Sequence, residues 1–390
     1  MKIAGIIAEY NPFHNGHAFL AEKAREAGFS HVVAVMSGNF VQRGEPALLH
    51  HSVRTRAALE CGADLVLQLP AVYAVSGAQS FAQAGVEILN GLGCVDSLVF
   101  GSECGNAEKI AAVSKMIYGE ELKPLIACEL EKGITFASAR ENALRKINPE
   151  YADIIQSPNN ILGVEYAAAI DRLKSPITPV TFARAGVSHD SENAAGGFAS
   201  ASLIREKIRA GESIEAFVPE KAAEIYRNAD IADIAEIENA ILYRMRTVTA
   251  QELANAPDVS EGIENRIISA AKQSTSLEEL YMLAKTKRYT HARIRRIILN
   301  CFLNVTAEDL KIPAPYIRVT GFNERGAQII RAAKASASLP VITKAADLAK
   351  LDGRAQRIFL LECMAGDVYS LCMKNRMPCG TEKDFRPVII

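Results

Sequence analysis

Short apolar blocks alternate with helical periodicity through the first half of the chain, and helical periodicity dominates the second. Residues 2–10 open on Ile3-Ala4-Gly5-Ile6-Ile7-Ala8, and His31 to Ser37, Asp64 to Leu69, Ser97 to Phe100 and Thr178 to Ala183 are further brief runs rich in β-branched residues, the signature of buried strands. Helical spacing occupies 15–28, 53–61, 77–90, 105–117, 123–132 and 160–173, with another helix starting near Ser200. Strands apolar on both faces and separated by helices imply a parallel sheet covered on two sides. Beyond about 211 the spacing stays helical through 304, followed by a short mixed segment from Pro315 to Phe322 and helices around 325–335 and 355–375. The pattern predicts an α/β, Rossmann-like parallel-sheet unit over 1–210 followed by a mostly α-helical unit over 211–390.

Length supports the division, because 390 residues exceed the roughly 250–300 at which a single core stops growing. Apolar residues at 49% and charged residues at 23% exclude disordered and fibrous classes. One lysine precedes an apolar start too short for a secretory leader, and no run approaches the ~18–20 apolar residues of a membrane span, so a cytoplasmic protein without membrane contact is expected. The cysteines, Cys61, Cys94, Cys104, Cys128, Cys301, Cys363, Cys372 and Cys379, are scattered without Cys-x-x-Cys or a Cys/His cluster, which predicts reduced, mostly buried thiols and no metal site. A net charge of −1 confines any nucleic-acid affinity to a local patch.

The strongest chemical signal is the turn Tyr10-Asn11-Pro12-Phe13-His14-Asn15-Gly16-His17, where the first strand ends and the first helix begins. Ligands sit at the carboxyl edge of parallel sheets, and a helix start there offers unpaired N–H groups to an anion such as a triphosphate. His14 and His17, three residues apart, share one side of the first turn, and Gly16 lets the backbone approach closely. As catalytic candidates both would stabilise charge on phosphate oxygens; the alternatives are a simple helix cap or an i, i+3 metal pair. Ser200-Ala201-Ser202-Leu203-Ile204-Arg205 forms a second helix start, where Ser200 and Ser202 can hold an anion and Arg205 can fork onto a phosphate. An ordinary cap followed by a surface arginine is the plainer reading of that segment.

These stretches resemble the nucleotidylyltransferase superfamily of the H-x-G-H type, although Ala199 to Arg205 departs from its serine-rich pattern at the first and third positions. More specifically, the chain resembles the bacterial tRNA(Met) cytidine acetate ligases in Gly5 to His17, Met36 to Pro46, Phe100 to Glu103, Ser157 to Tyr166, Arg184 to Gly186, Ser200 to Arg205 and Lys287 to Arg296. The resemblance implies a two-step reaction. ATP and acetate give acetyladenylate and pyrophosphate, and the acetyl group passes to N4 of the wobble cytidine, C34, of elongator tRNA(Met), without acetyl-CoA. It also implies an ATP site along Ile7, Ala8, Glu9, Tyr10, Asn11, Pro12, Phe13, His14, Asn15, Gly16, His17, Ala18, Phe19 and Leu20, closed by Gly101, Asn159, Asn160 and Arg184. Magnesium is expected with the ATP phosphates. Gly101 ends a strand where a small residue lets a nucleoside lie on the backbone, and of the adjacent amides Asn159 and Asn160 one can cap a helix while the other faces the ligand. The Asn39 to Glu45 loop is either a closing loop near substrate or solvated surface.

A basic segment remains. From Lys285 to Arg296 there are six cations, Lys285, Lys287, Arg288, Arg293, Arg295 and Arg296, with Tyr289 and His291 interleaved and no acid. On a helix from about 290, residues 293 and 296 share a face and Tyr289 offers a stacking plane, as RNA contact requires; a solvated helix face is the alternative. Two other functions stay open at this level: a small-metabolite adenylyl- or cytidylyltransferase with a helical dimerisation unit, and a nucleotide-sensing or RNA-binding protein without catalysis.

Overall fold

A computed structural model describes residues 1–184, 197–348 and 350–390; Ala185 and Gly186 of the Arg184 to Gly186 stretch lie outside the described residues. In chain order the elements that position the site are β1 (Ile3–Ala8), α1 (Asn15–Glu26), β2 (His31–Ser37), the hairpin β3 (Phe40–Val41) and β4 (Glu45–Pro46), α2 (His51–Glu60), β5 (Leu65–Leu69) and α3 (Ala78–Leu92). Then come β6 (Ser97–Ser102), α4 (Ala107–Ile117), α5 (Pro158–Arg172), β7 (Thr178–Ala183), α6 (Ala201–Ala210), α7 (His291–Phe302), β8 (Ile317–Phe322), α8 (Glu324–Ser336), β9 (Val341–Ile342), α9 (Gly353–Leu371) and β10 (Val388–Ile389).

Eight strands form one sheet in the order β10-β8-β5-β2-β1-β6-β7, with β9 also on β8. The central pairs are parallel: Ile3 lies opposite His31, Val33 opposite Leu65, and Ser97 opposite Thr178. All seven positions of β2 are buried, as a strand covered on both faces must be. Alternation in β1 sorts its side chains between layers. Ala4 and Ile6 pack with Ala24 of α1 and Val32, whereas Ile3 and Ile7 join the cluster that holds Ile88 and Leu89 of α3.

The expected α/β sheet with a helix-rich second half is present, and three differences are informative. Pro315 to Phe322 carries a true strand, β8, which runs antiparallel to β5 with Gln68 opposite Arg318, so strands from both sides of residue 210 share one sheet and one apolar cluster. Helices at Phe136–Ile147 and Pro149–Ile154 were not expected; the first buries only Ala139, Ala143 and Leu144, too small a stripe to register as periodicity. Among the cysteines only Cys301, Cys363 and Cys372 are buried and Cys128 and Cys379 are exposed, although all eight are free thiols. No helix among the described residues is long and apolar enough to cross a membrane.

The β5 end of the sheet is tied to α1 and α8. Arg25 pairs with Asp64 at 2.5 Å, the same carboxylate accepts the Val32 N–H at 2.8 Å, and a Cβ on Gly326 would fall 2.0 Å from the Asp64 carbonyl oxygen. That approach is closer than any side chain permits. Gly326→Ala is therefore expected to cost about 1–3 kcal/mol by forcing α8 off the sheet, read as a lowered midpoint in urea unfolding.

Candidate nucleotide site

The chain leaves β1 at Ala8 and turns sharply: Tyr10 sits at φ +47°, and the Asn11–Pro12 peptide is cis. His14 then caps α1 from an extended backbone, its Nδ1 accepting the Gly16 N–H at 3.0 Å, while the His14 N–H donates to Nδ1 of His17 at 3.2 Å. The two imidazoles thus form a reciprocal capping box and stack with centroids 3.8 Å apart. With each Nδ1 used as an acceptor, a neutral ring must carry its proton on Nε2, so each ring keeps one N–H donor. Burial, with the Arg184 and Arg205 guanidiniums nearby, lowers the His14 pKa to about 3. Burial, then His14 and Arg184, also holds His17 well below the ordinary histidine value. Capping and ligand binding are therefore compatible: one nitrogen of each ring serves the helix and the other remains for an anion.

A cavity of about 680 Å³ opens at this turn. From the expected site it is lined by Ile7, Ala8, Glu9, Tyr10, Asn11, His14, Gly16, His17, Phe19, Leu20, Gly101, Asn159, Arg184, Ser200, Ser202 and Arg205. Arg205 is 8% exposed and donates to the Asn11 carbonyl at 2.9 Å and to the Ser202 hydroxyl at 3.1 Å, so it belongs to the wall rather than the surface. Ser200 is the cap of α6, accepting the Leu203 N–H at 3.2 Å. The serine-rich start and the histidine turn, nearly two hundred residues apart in sequence, face one cavity.

Five expected residues do not line it. Pro12, Phe13 and Ala18 pack away from it, Phe13 being 1% exposed with its carbonyl accepting the Tyr226 hydroxyl at 3.2 Å. Asn15 donates to the Gly197 and Ala216 carbonyls at 2.8 and 3.1 Å. Asn160 is buried, its side chain accepting the Glu103 and Cys104 N–H groups at 2.9 and 3.1 Å and donating to the Ile154 carbonyl at 3.0 Å. Asn159 lines the cavity with its amide donating to Glu103 at 2.6 Å, so neither amide caps a helix.

One residue behind the site had no signal of its own. Arg54 is fully buried on α2 and donates to the carbonyls of Glu9 at 2.6 Å, Leu49 at 2.9 Å, Ser37 at 3.0 Å and Gly38. Glu9 accepts the Gln42 N–H at 2.8 Å, and desolvation holds its carboxyl above the ordinary value. Gln42, Arg43, His291, Ala292 and Arg295 complete the far wall, which places the Asn39 to Glu45 loop beside the cavity.

The basic segment is less free than its sequence suggests. Arg293 donates to the Asp258 carbonyl and the Ser260 hydroxyl, Arg296 pairs with Asp258 at 2.8 Å, and Arg288 and Arg295 stand 3.7 Å from Glu261 and Glu278. Counter-charges absent from the window arrive from distant segments. Tyr289 is 7% exposed, its hydroxyl donating to the Glu261 carbonyl at 2.8 Å, so it presents no stacking plane. Lys285, Lys287 and Arg288 remain exposed.

The family described as HIGH Nucleotidyl Transferase matches residues 1–384. The tRNA(Met) cytidine acetate ligase of Thermoanaerobacter sp. (strain X514) is 39% identical over 396 residues, with 98% of each chain covered. This chain belongs to the tRNA(Met) cytidine acetate ligase family. The relative of that name from Acetivibrio thermocellus is 38% identical over 398 residues, covering 96% of each. In three dimensions the chain matches the apo crystal structure of Thermotoga maritima TmcAL with a TM-score of 0.94 at 31% identity, and the same protein bound with alpha-thio ATP with 0.92 at 32%, each over the full length of both chains.

Two outcomes are expected of these residues. His14 in the folded chain titrates near 3, below the ordinary 6.5, so between these values the unfolded chain binds a proton that the folded chain refuses. The stability from neutral His14 is full above about 6.5 and is lost as pH falls toward 3. His14→Asn keeps a cap without that titration, so urea unfolding between pH 7 and 4.5 should show a shallower acid loss in the variant, by up to ~1.4 kcal/mol per pH unit; parallel curves would contradict it. Arg54→Met should destabilise by more than about 3 kcal/mol, since several buried carbonyls each lose a donor at about 1–3 kcal/mol, measured by thermal and urea denaturation.

Proposed function

We propose that this protein is an ATP-dependent acetate ligase that acetylates N4 of C34 in elongator tRNA(Met). The observation that carries the reading is the pair of stacked, neutral-leaning imidazoles capping α1 beside Arg205 in one cavity, in a chain whose full-length relatives carry the ligase name. ATP lies with its phosphates on the α1 start, and the acetate oxygen attacks the α-phosphorus. The P–O bond to pyrophosphate breaks, and pyrophosphate leaves with the electron pair. His14, His17 and Arg205 then act on charge that grows in that step, as preorganised donors do. Arg184, Ser200, Ser202 and Asn159 hold the nucleotide, and Gly101 lets it lie on the strand end.

Magnesium fits as a companion of the phosphates. Glu9 is the one carboxylate among the described residues of the cavity wall, and it already accepts a backbone N–H, so phosphate oxygens rather than a protein cage would hold the ion. In the second step N4 attacks the acetyl carbon, and the bond to the phosphate oxygen breaks to release AMP, with no acetyl-CoA. Residues 211–390 supply the tRNA-facing side through Lys285, Lys287 and Arg288, and the reaction belongs to the cytoplasm, where tRNA and ATP meet.

Mass spectrometry of tRNA(Met) after incubation with ATP and labelled acetate should find one labelled acetyl group at C34, and its absence under conditions that support ATP binding would overturn the reading. His17→Ala should retain ATP binding while acetate-dependent exchange of pyrophosphate into ATP falls by about 10²–10³-fold. The triple change Lys285→Ala, Lys287→Ala, Arg288→Ala should keep that exchange and lower tRNA affinity, with a shallower salt dependence in filter binding. Loss of both half-reactions together would contradict the division of labour.

A further inference from the structure

The cavity does not end at the phosphate side. It runs on to the start of α7, where Gln42, Arg43, His291 and Arg295 form the wall. The two elements that supply these residues pack backbone to backbone. Gly44, at φ +78° in the β3–β4 turn, lies so close to α7 that a Cβ there would fall 2.6 Å from the Arg296 nitrogen and 2.7 Å from the Arg295 carbonyl carbon.

Three polar atoms of this wall are unpaired. Nε2 of Gln42, Nδ1 of His291 and Nε of Arg295 are each sealed from water without a hydrogen-bond partner, a deficit that native folds rarely carry without a reason. The Arg295 guanidinium lies over the Tyr281 ring, 5.0 Å from its centroid. The amide nitrogen and the guanidinium nitrogen can only donate, and the histidine can.

We infer that Gln42, His291 and Arg295 form the subsite for the acceptor base and select cytosine over uracil; the inference rests on the proposed reaction. Cytosine shows adjacent acceptors, O2 and N3, and uracil replaces the second with an N3–H donor. A wall whose unpaired atoms are set to donate therefore welcomes the first edge and opposes the second. Donors on O2 and N3 also leave N4, the next group on that edge, directed toward the acyl donor. The unpaired atoms are reached by side-chain rotation as the base arrives. N4 then forms its bond to the acetyl carbon, the carbon–oxygen bond to phosphate breaks, AMP keeps the electron pair, and the N4 proton passes to the departing phosphate oxygen. These three are specificity-determining residues of the second step, with no part in the first.

The test uses the full chain and tRNA(Met) transcripts carrying C or U at position 34. Wild type should be inhibited at least about tenfold more strongly by excess unlabelled C34 transcript than by the U34 transcript. In Arg295→Met and Gln42→Leu that preference should collapse, and transfer kcat/KM for the C34 transcript should fall by about 10–100-fold. Acetate-dependent exchange of pyrophosphate into ATP should persist in the same preparations, which also reports that they fold. Arg295→Lys, which restores a donor without the fork, should recover part of the preference. A raised KM for acetate in the exchange assay would mean that the wall binds acetate and would overturn the inference. Equal weakening of both transcripts, the mark of a backbone phosphate contact, or no change in either would overturn it as well. If wild type itself shows exchange but no acetylation of tRNA, the proposed function fails rather than this subsite.

Discussion

Everything at the carboxyl edge of the sheet depends on one buried cation. Arg54 has no exposure, and its guanidinium is spread over the carbonyls that end β1 and β2 and those of Gly38 and Leu49. Strand ends leave carbonyls without partners just where a ligand needs the backbone to be exposed, and a sealed, unpaired carbonyl is costly. One planar five-donor group meets four of them in a fixed fork, a task that lysine cannot perform. Burial pulls its pKa to about 10, still far above neutrality, so the clamp stays charged. It also adds positive potential close to the turn proposed to receive the ATP phosphates.

That turn shows how a helix start can be both finished and available. A serine cap would satisfy the first N–H groups and offer nothing further to a ligand. The His14–His17 box satisfies the helix with two Nδ1 atoms and keeps two Nε2 groups, one per ring. Holding both rings neutral matters, because stacked imidazoliums 3.8 Å apart beside Arg184 and Arg205 would repel one another in the empty site. In the proposed reaction, negative charge arriving on the ligand reverses that balance and strengthens each donor as charge develops.

Sequence reading succeeded where the signal is local. The short strand blocks, apolar on both faces, mark a sheet covered on two sides, and His14 to His17 declares its position by lying between a strand and a helix. It failed where partners come from far away. Tyr289 looks like a stacking ring until Glu261 takes its hydroxyl, and Arg293 and Arg296 look like free cations until Asp258 turns them inward. Arg54 sits in an undistinguished helix whose apolar pattern hides nothing, so only the carbonyls around it reveal its work. Likewise His50, His51 and Glu382 bring three potential ligand atoms within 4.8 Å although the third is over three hundred residues away. Glu382 is already paired with Arg318 at 2.7 Å, which supports a structural role for the cluster.

The same distant partners explain how a long loop beside the cavity holds its shape. Asn39 starts it, accepting the His51 N–H at 3.0 Å and donating to Glu382 at 3.2 Å, and Glu382 is anchored to β8 through Arg318. Gly44 ends the turn against α7, and Gln42 ties its middle to Glu9 at the end of β1. The loop is thus pinned to the nucleotide turn, to the C-terminal strands and to the helix of the basic segment. The nucleotide turn and the wall proposed for the acceptor base thus meet in a turn of seven residues, held against α7 by the close backbone approach at Gly44.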